Sequence, residues 1–212
     1  MARAWSANKV EKEVIENHQR YLERKALYKS FGCDIDKERA FIIEKAQPIY
    51  GDILEVGTGK GYFTVALAQE GYSFVSVDIS EEEQKFARLN IKYLGLEERV
   101  GFKVENAESL SFGNGSFEII FSINTLHHLI NPYGVMDELM RVVTFEGKII
   151  LSDFSREGLE VVNRVHRNEG RIHPYGDFDL NKAMKYFREK EFSTERHSTT
   201  YQEIGIAYHQ LI

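Results

Sequence analysis

The sequence predicts an α/β fold in which helices cover both faces of a mostly parallel, seven-stranded sheet. Between residues 51 and 154, short apolar runs alternate with segments of helical periodicity, a pattern typical of a parallel sheet with two covered faces. Two β-rich runs near the C terminus predict a hairpin that adds one antiparallel strand. We expect one domain, in which residues 1–48 form an N-terminal helical cap and residues 49–212 the sheet.

The cap is predicted from helical spacing of apolar residues. Residues 8–30 form the first expected helix, with Gly32 as its stop signal. A second helix is expected to begin at about Asp36 and to end before Pro48.

The alternating part contains five expected strands, which are residues 52–56, 72–78, 100–106, 116–123 and 147–154. The expected helices are residues 61–70, 80–95, 132–143, 156–168 and 179–189. In the second of these, Ser80 and Glu83 have the spacing of a capping box. The C-terminal hairpin follows the last helix.

Composition restricts the function. The chain has 212 residues, 42% of them hydrophobic and 28% charged, and a formal net charge of −6. This acidic balance disfavours a nucleic-acid platform, which usually carries a basic surface. Cys33 is the single cysteine, which indicates a reducing compartment. There is no apolar signal segment or membrane-length run. We expect a cytoplasmic monomer or homodimer without membrane association.

The stretch "EVGTGKG" (55–61) allows three interpretations. The first is a phosphate-binding loop, which requires glycine, four spacers, and then Gly-Lys followed by Ser or Thr. Here Gly59-Lys60 precedes Gly61, and Leu54 occupies the place of the first glycine. This interpretation fails at both positions, so we interpret Lys60 as a solvated loop lysine.

The second interpretation is a dinucleotide fingerprint, G-x-G-x-x-G. Gly57 and Gly59 fit it, but the next glycine is Gly61 and Tyr62 stands in the third glycine's place. Asp78 supplies the acid expected about 20 residues further on. This pattern therefore fits in part.

The third pattern, E-x-G-x-G-x-G, resembles motif I of the class I S-adenosylmethionine-dependent methyltransferases. "VDIS" (77–80) resembles motif II, residues 105–129 resemble the third and fourth motifs of the ubiquinone/menaquinone-type branch, and residues 136–154 resemble the helix and strand that follow. The resemblance implies a Rossmann-like, doubly wound fold. It also implies methyl transfer from S-adenosyl-L-methionine to a small molecule, with S-adenosyl-L-homocysteine as product.

The resemblance also implies a set of cofactor-binding residues. Glu55 would bind the ammonium and Asp78 the two ribose hydroxyls, while Asn106 stands where the family often has an acid near adenine. Asn124 has an alternative role in turn geometry. The full set is Glu55, Gly57, Thr58, Gly59, Gly61, Asp78, Ile79, Asn106, Ala107, Glu108, Ser122 and Asn124.

Methyl transfer depends mainly on holding the nucleophile and methyl group in line, and needs a base only where the acceptor is protonated. The catalytic candidates are His127, His128 and Asp153. A packing role is the alternative for the two histidines.

The substrate candidates are Tyr28, His166, His173 and Tyr175. The segment holding His166, Glu169, His173 and Asp177 has no recognisable metal-ligand spacing, so no metal site is predicted.

Two other functions stay open. Methylation of RNA or protein is disfavoured because "SINTLHHL" (122–129) stands where amino-methylating nucleic-acid enzymes carry an Asn/Asp-Pro-Pro-aromatic motif. A non-catalytic S-adenosylmethionine-binding regulator would carry the same motifs as an enzyme.

Overall fold

The computed structural model describes residues 2–172 and 176–209, with side chains from residue 11 onward. Its helices are α1 (Ala2–Ser30), α2 (Ile35–Lys45), α3 (Tyr62–Gln69), α4 (Glu81–Tyr93), α5 (Pro132–Val142), α6 (Arg156–Asn168) and α7 (Leu180–Glu189). Its strands are β1 (Ile53–Val56), β2 (Phe74–Asp78), β3 (Val100–Val104), β4 (Phe117–Ile123), β5 (Val143–Phe154), β6 (Phe192–Ser198) and β7 (Gln202–His209). Short 3₁₀ turns occupy Glu97–Arg99 and Leu126–His128.

The strands form one seven-stranded sheet in the order β3-β2-β1-β4-β5-β7-β6. Strands β1 to β5 run parallel, and β7 is antiparallel to both β5 and β6. The predicted sheet with one antiparallel hairpin strand is therefore confirmed. Chain order reverses between β1 and β4, and ligands of open α/β sheets bind at such a switch point.

Apolar side chains fill both faces of the sheet. Leu54, Ile120 and Leu139 belong to the core cluster that includes α5 and α7. Phe63 and Phe121 belong to the cluster that includes α3 and α4. Because β4 is buried at nearly every position, its sequence is an almost continuous apolar run, as expected for a central parallel strand. Among the described residues, the helices are too short or too polar to cross a membrane.

The N-terminal helices pack onto the sheet domain, α1 along α4 and α6, and α2 against α3. Asn17 Nδ2 donates to Asn90 Oδ1 at 3.1 Å, which ties α1 to α4 through a buried polar contact. The His18 ring stacks on Tyr93 with centroids 3.9 Å apart. Helix α1 begins at Ala2, earlier than residue 8, because the apolar repeat used for the prediction begins only at Val10.

The starts of α4 and β5 can be compared with the boundaries expected from the sequence. Ser80 Oγ accepts from Glu83 N at 3.1 Å, so the predicted cap at the start of α4 is confirmed. Strand β5 begins at Val143, not at 147. Val143 pairs with Phe117 before the register between β4 and β5 shifts, and such an irregularity breaks the local pattern that identifies a strand.

Candidate active site

A cavity of about 590 Å³ lies where the carboxyl ends of β1, β2 and β4 meet α1 and α2. Its walls come from the loop after β1 (57–61), the end of β2 (77–79), the loop after β3 (105–108) and the segment after β4 (123–130). Helices α1, α2 and α6 close the remaining side. The cavity occupies the switch point of the sheet, where a ligand site is expected.

The glycine loop after β1 depends on backbone conformations that other residues rarely adopt. Gly57, Gly59 and Gly61 have φ values of 92°, 49° and 82°. A Cβ on Gly61 would lie 2.6 Å from the Ala87 Cβ, so this glycine lets α3 begin close against α4. The loop therefore brings the start of α3, with its exposed N–H groups, to the cavity wall.

Glu55, at the end of β1, is a buried acid in the cavity wall. Its Oε2 accepts from Thr64 Oγ1 at 2.7 Å and from Ser76 Oγ at 2.6 Å. Burial raises the pKa of Glu55 to about 7, with a smaller upward effect of Asp78. An added cation beside this carboxyl would favour its ionised form.

Asp78 ends β2 and fastens the glycine loop. Its Oδ2 accepts from Gly59 N at 2.7 Å, and its Oδ1 accepts from Ser80 N at 2.8 Å. A carboxylate has about four lone-pair sites. Both oxygens can therefore accept another donor while still holding the loop in place.

The predicted adenine-side residues line one end of the cavity. Ile79 is 71% exposed and presents apolar surface there. Asn106 Oδ1 accepts from Glu108 N at 3.0 Å, which shapes the loop after β3. Ala107, between Asn106 and Glu108 in the sequence, lines the same wall. Glu108 in turn accepts from Asn131 Nδ2 at 3.2 Å.

Some predicted cofactor residues have internal partners. Ser122 is buried in β4 and is not among the residues that line the cavity. The Thr58 hydroxyl lies 2.6 Å from the Ser76 Oγ in a buried network. Asn124 lines the cavity with φ 57°, and its side-chain oxygen accepts from Gln202 Nε2. The left-handed conformation explains asparagine at position 124, because this residue tolerates it better than most.

Two catalytic candidates form a buried pair. His127 Nδ1 lies 2.7 Å and 2.9 Å from the two carboxylate oxygens of Asp153. The His127 carbonyl accepts from Gly176 N at 2.8 Å, which fixes the backbone of the 3₁₀ turn. With a carboxylate as partner, Nδ1 carries the ring proton and Nε2 is the basic nitrogen. His128 also lines the cavity, and burial lowers its pKa.

Arg39 is a further cavity residue, outside the set that the sequence predicts. It is 7% exposed and extends from α2 to the cavity wall. Its Nη1 donates to Gln202 Oε1 at 3.3 Å, while its Nε has no hydrogen-bond partner among the described residues. The signal was present, because Arg39 interrupts the apolar stripe of Ile35 and Ile42, and a charge there requires a partner.

Two of the four substrate candidates can be placed. Tyr28 is buried in the cavity wall, and Arg24 lies over its ring at 5.6 Å from the centroid. Arg24 Nη2 lies 3.1 Å from His166 Nε2, and burial lowers the pKa of His166 to about 4. His173 and Tyr175 lie outside the described residues. Among the described residues, no cluster of three or more His, Cys, Asp or Glu side chains suits a metal ion.

The interpretation of Lys60 as a solvated loop lysine is wrong. Lys60 is half-buried in the cavity wall. Burial and the nearby charges of Arg24 and Arg171 lower its pKa. The sequence could not show this, because these cations come from α1 and from the segment after α6.

Comparison with known proteins assigns the sheet region to a family. Residues 54–151 match the family model described as a methyltransferase domain. This match, which spans just under half of the chain, identifies residues 54–151 as a methyltransferase domain. The matched segment holds β2 to β4, most of β1 and β5, and most of the cavity wall, so the family pattern and the site geometry coincide.

Relatives of this methyltransferase domain include two quinone-pathway proteins. Demethylmenaquinone methyltransferase of Clavibacter sepedonicus is 31% identical over 118 residues, which are 55% of this chain and 47% of that protein. Ubiquinone biosynthesis O-methyltransferase of Thiobacillus denitrificans is 25% identical over 182 residues, 84% of this chain and 78% of that protein. The chain thus spans about half of the first relative and most of the second.

Solved structures agree on the fold of this methyltransferase domain. A SAM-dependent methyltransferase from Methanosarcina mazei superposes with a TM-score of 0.63 at 21% identity, over 81% of this chain and 98% of that chain. At this identity the likeness concerns the fold, and it supports the Rossmann-like, doubly wound architecture.

Proposed function

We propose that the protein transfers a methyl group from S-adenosyl-L-methionine to a small-molecule acceptor. The observation that carries the proposal is the complementarity of one cavity to an adenosine with a zwitterionic amino acid. A buried acid, Glu55, and a buried cation, Arg39, face the same space as the ribose acid Asp78. The acid and the cation match the ammonium and the carboxylate of the cofactor's amino acid.

The ammonium, the carboxylate, the ribose and the adenine of the cofactor each have a matching group. Glu55 would bind the ammonium and become ionised, because a nearby cation opposes the effect of burial on its pKa. Arg39 would bind the carboxylate through its Nε, which lacks an internal partner among the described residues. Asp78 would accept the ribose hydroxyls, and Asn106 would accept from the adenine amino group with Ile79 against the ring.

The His127–Asp153 pair would act on the acceptor. The bound cofactor supplies an electrophilic methyl group on its sulfonium. Nε2 of His127 would take the proton of the attacking group, while Asp153 holds the ring and stabilises its protonated form. A base is useful for a hydroxyl acceptor, which supports O-methylation. The name of the Thiobacillus denitrificans relative points the same way. We further propose a cytoplasmic location, which the single cysteine supports.

A methyl-transfer assay tests the proposal directly. Purified protein and S-adenosylmethionine are incubated with a panel of hydroxylated metabolites, and with tRNA and peptides as macromolecular acceptors. We expect S-adenosylhomocysteine to be released only with members of the metabolite panel. Turnover with tRNA or peptide alone would instead establish a macromolecular acceptor, and cofactor binding without any turnover would favour a regulator.

The role of His127 makes a separate prediction. We expect His127→Gln to lower kcat about 10²–10⁴-fold with a hydroxyl acceptor, since a general base contributes an effect of that size. Affinity for S-adenosylhomocysteine should be unchanged by calorimetry. Asp153→Asn should lower kcat less and shift its pH profile, because Asp153 positions the histidine. A His127→Gln variant with normal kcat would remove the base from the mechanism.

A further inference from the structure

Three cations converge on the side of the cavity formed by α1 and α6. Arg24 comes from α1, Lys60 from the glycine loop, and Arg171 from the segment after α6, and all three line the cavity. We call them the basic cluster. They are distant in sequence, so the cluster is a product of the fold.

The basic cluster has fewer negative charges than positive ones. Glu169 Oε1 accepts from Arg24 Nε at 2.7 Å, and Glu169 also pairs with Arg171. One carboxylate is thus shared by two guanidinium groups. Among the described residues, Lys60 forms no ion pair, and Glu83 and Glu169 attract it only from a distance. Its Nζ lies 5.8 Å from the Phe86 ring centroid.

The pKa values of two residues in this wall reflect the excess of positive charge. Burial is the largest cause of the lowered pKa of Lys60, and Arg24 and Arg171 lower it further. Burial also lowers the pKa of His166 to about 4, with added contributions from the same two arginines. Like charges held together in a partly buried wall repel one another, and a bound anion would remove that repulsion.

The cofactor does not account for the basic cluster. Arg39 is the cation that lowers the pKa of Glu55, so Arg39 stands beside the group assigned to the cofactor ammonium. The basic cluster instead surrounds Tyr28 and His166, with Tyr62 in the same wall. These residues give this side of the cavity an aromatic and cationic lining.

We propose that the basic cluster binds a carboxylate or phosphate group of the methyl acceptor. The proposal rests on the proposed function and narrows its substrate class to acceptors that carry an anion beside an apolar or aromatic body. Electrostatic attraction would bring such acceptors to the cavity, and the paired guanidinium groups would give the anion a fixed orientation.

Binding of small probes to the cofactor-loaded protein tests this proposal without knowledge of the acceptor. The protein is first saturated with S-adenosylhomocysteine and then titrated with benzoate and phenyl phosphate, and with benzamide and benzyl alcohol as neutral counterparts. We expect at least one anionic probe to bind roughly tenfold more tightly than its neutral counterpart. Comparison of benzoate with phenyl phosphate shows which anion is preferred.

Matched variants locate the effect. Lys60→Met and Arg171→Gln should each weaken binding of the preferred anion about three- to tenfold and leave the Kd for S-adenosylhomocysteine unchanged. Lys92→Met removes an exposed lysine from α4 and should leave both affinities unchanged.

Three results would overturn the inference. The first is that anionic and neutral probes bind with equal affinity. The second is that Lys60→Met and Lys92→Met change the affinity for the anion equally. The third is that the anion displaces S-adenosylhomocysteine. The last result would assign the basic cluster to the cofactor. Failure of S-adenosylhomocysteine to bind at all would instead contradict the proposed function, and anion selectivity can still be measured on the protein alone.

Discussion

Arg39, to which we assign the cofactor carboxylate, is a buried cation whose charge opposes folding. Its guanidinium is buried, with one hydrogen bond to Gln202. Glu38 favours its charged form, but no carboxylate among the described residues forms an ion pair with it. Burial lowers its pKa, which indicates that the charged form is penalised. Replacement of such a charge by an apolar residue is often neutral or stabilising.

We therefore expect Arg39→Met to keep or raise the free energy of unfolding, measured by urea denaturation. The same variant should weaken S-adenosylhomocysteine binding about tenfold or more, because a charge-assisted hydrogen bond to the carboxylate is lost. Arg39→Lys keeps the charge but not the planar guanidinium group. Its affinity for S-adenosylhomocysteine should lie between those of the unaltered protein and Arg39→Met. If Arg39→Met destabilises the protein and leaves the affinity unchanged, Arg39 is a structural residue.

Glu55 makes a prediction about pH. Its pKa is about 7 in the folded protein against an ordinary value of 4.5. The folded state therefore holds a proton that the unfolded state has lost, and this group's contribution to stability decreases as pH rises through that window. Because the cofactor ammonium needs the ionised acid, affinity for S-adenosylhomocysteine should increase by about tenfold from about pH 6 to about pH 8.

Calorimetry in two buffers of different ionisation enthalpy should also detect proton release on binding at about pH 6. Glu55→Gln should bind more weakly and lose the pH dependence. A pH-independent affinity of the unaltered protein would show that Glu55 does not contact the ammonium.

At the residue scale, the sequence predicts cavity positions that follow from a motif and misses those that follow from tertiary contacts. Glu55 and Asp78 line the cavity because the family pattern fixes their positions at strand ends. Arg39 and Lys60 were missed or misinterpreted because their partners lie far away along the chain. The structure also leaves Ser122 outside the cavity wall.

At the scale of elements, the junction between α3 and α4 depends on Gly61. An alanine there would have φ near 82° and would place its Cβ 2.8 Å from the Ala87 Cα. Gly71 provides a matched control, since its φ is 93° but nothing lies within 4 Å of an added Cβ. The left-handed conformation alone costs about 1–2 kcal/mol.

We expect Gly71→Ala to lower the free energy of unfolding by about that amount. Gly61→Ala should lower it by about 1–3 kcal/mol more, because helix packing must also shift. Gly61→Ala should also weaken S-adenosylhomocysteine binding, because the glycine loop moves with α3. Equal unfolding free energies for the two variants in urea titrations would show that the close contact between position 61 and α4 does not affect stability.

Helices and strands with a regular apolar repeat or a local capping signal were predictable from the sequence. Boundaries that depend on pairing with another strand were not. The capped start of α4 follows from Ser80 and Glu83, which act within one turn. The early start of β5 depends on a register shift opposite β4. That shift is decided by pairing between strands, so a local sequence pattern does not contain it.

At the scale of the molecule, the alternation of strands and helices was enough to predict the sheet, and the glycine loop was enough to place the cavity. The His127–Asp153 pair was not predictable as a pair. His127 follows β4 and Asp153 lies near the end of β5, and the adjacency of these two strands brings His127 Nδ1 within 2.7 Å of Asp153 Oδ1. The basic cluster is likewise a consequence of how α1 and α6 close the cavity.

Calorimetric titration with S-adenosylhomocysteine and with NAD is the most direct test of the cofactor site. We predict micromolar binding of S-adenosylhomocysteine and no response to NAD. Asp78→Asn should weaken the binding by about 2 kcal/mol. Asp52→Asn, an exposed acid at the opposite end of β1, should leave it unchanged. Binding of NAD with no response to S-adenosylhomocysteine would contradict the account.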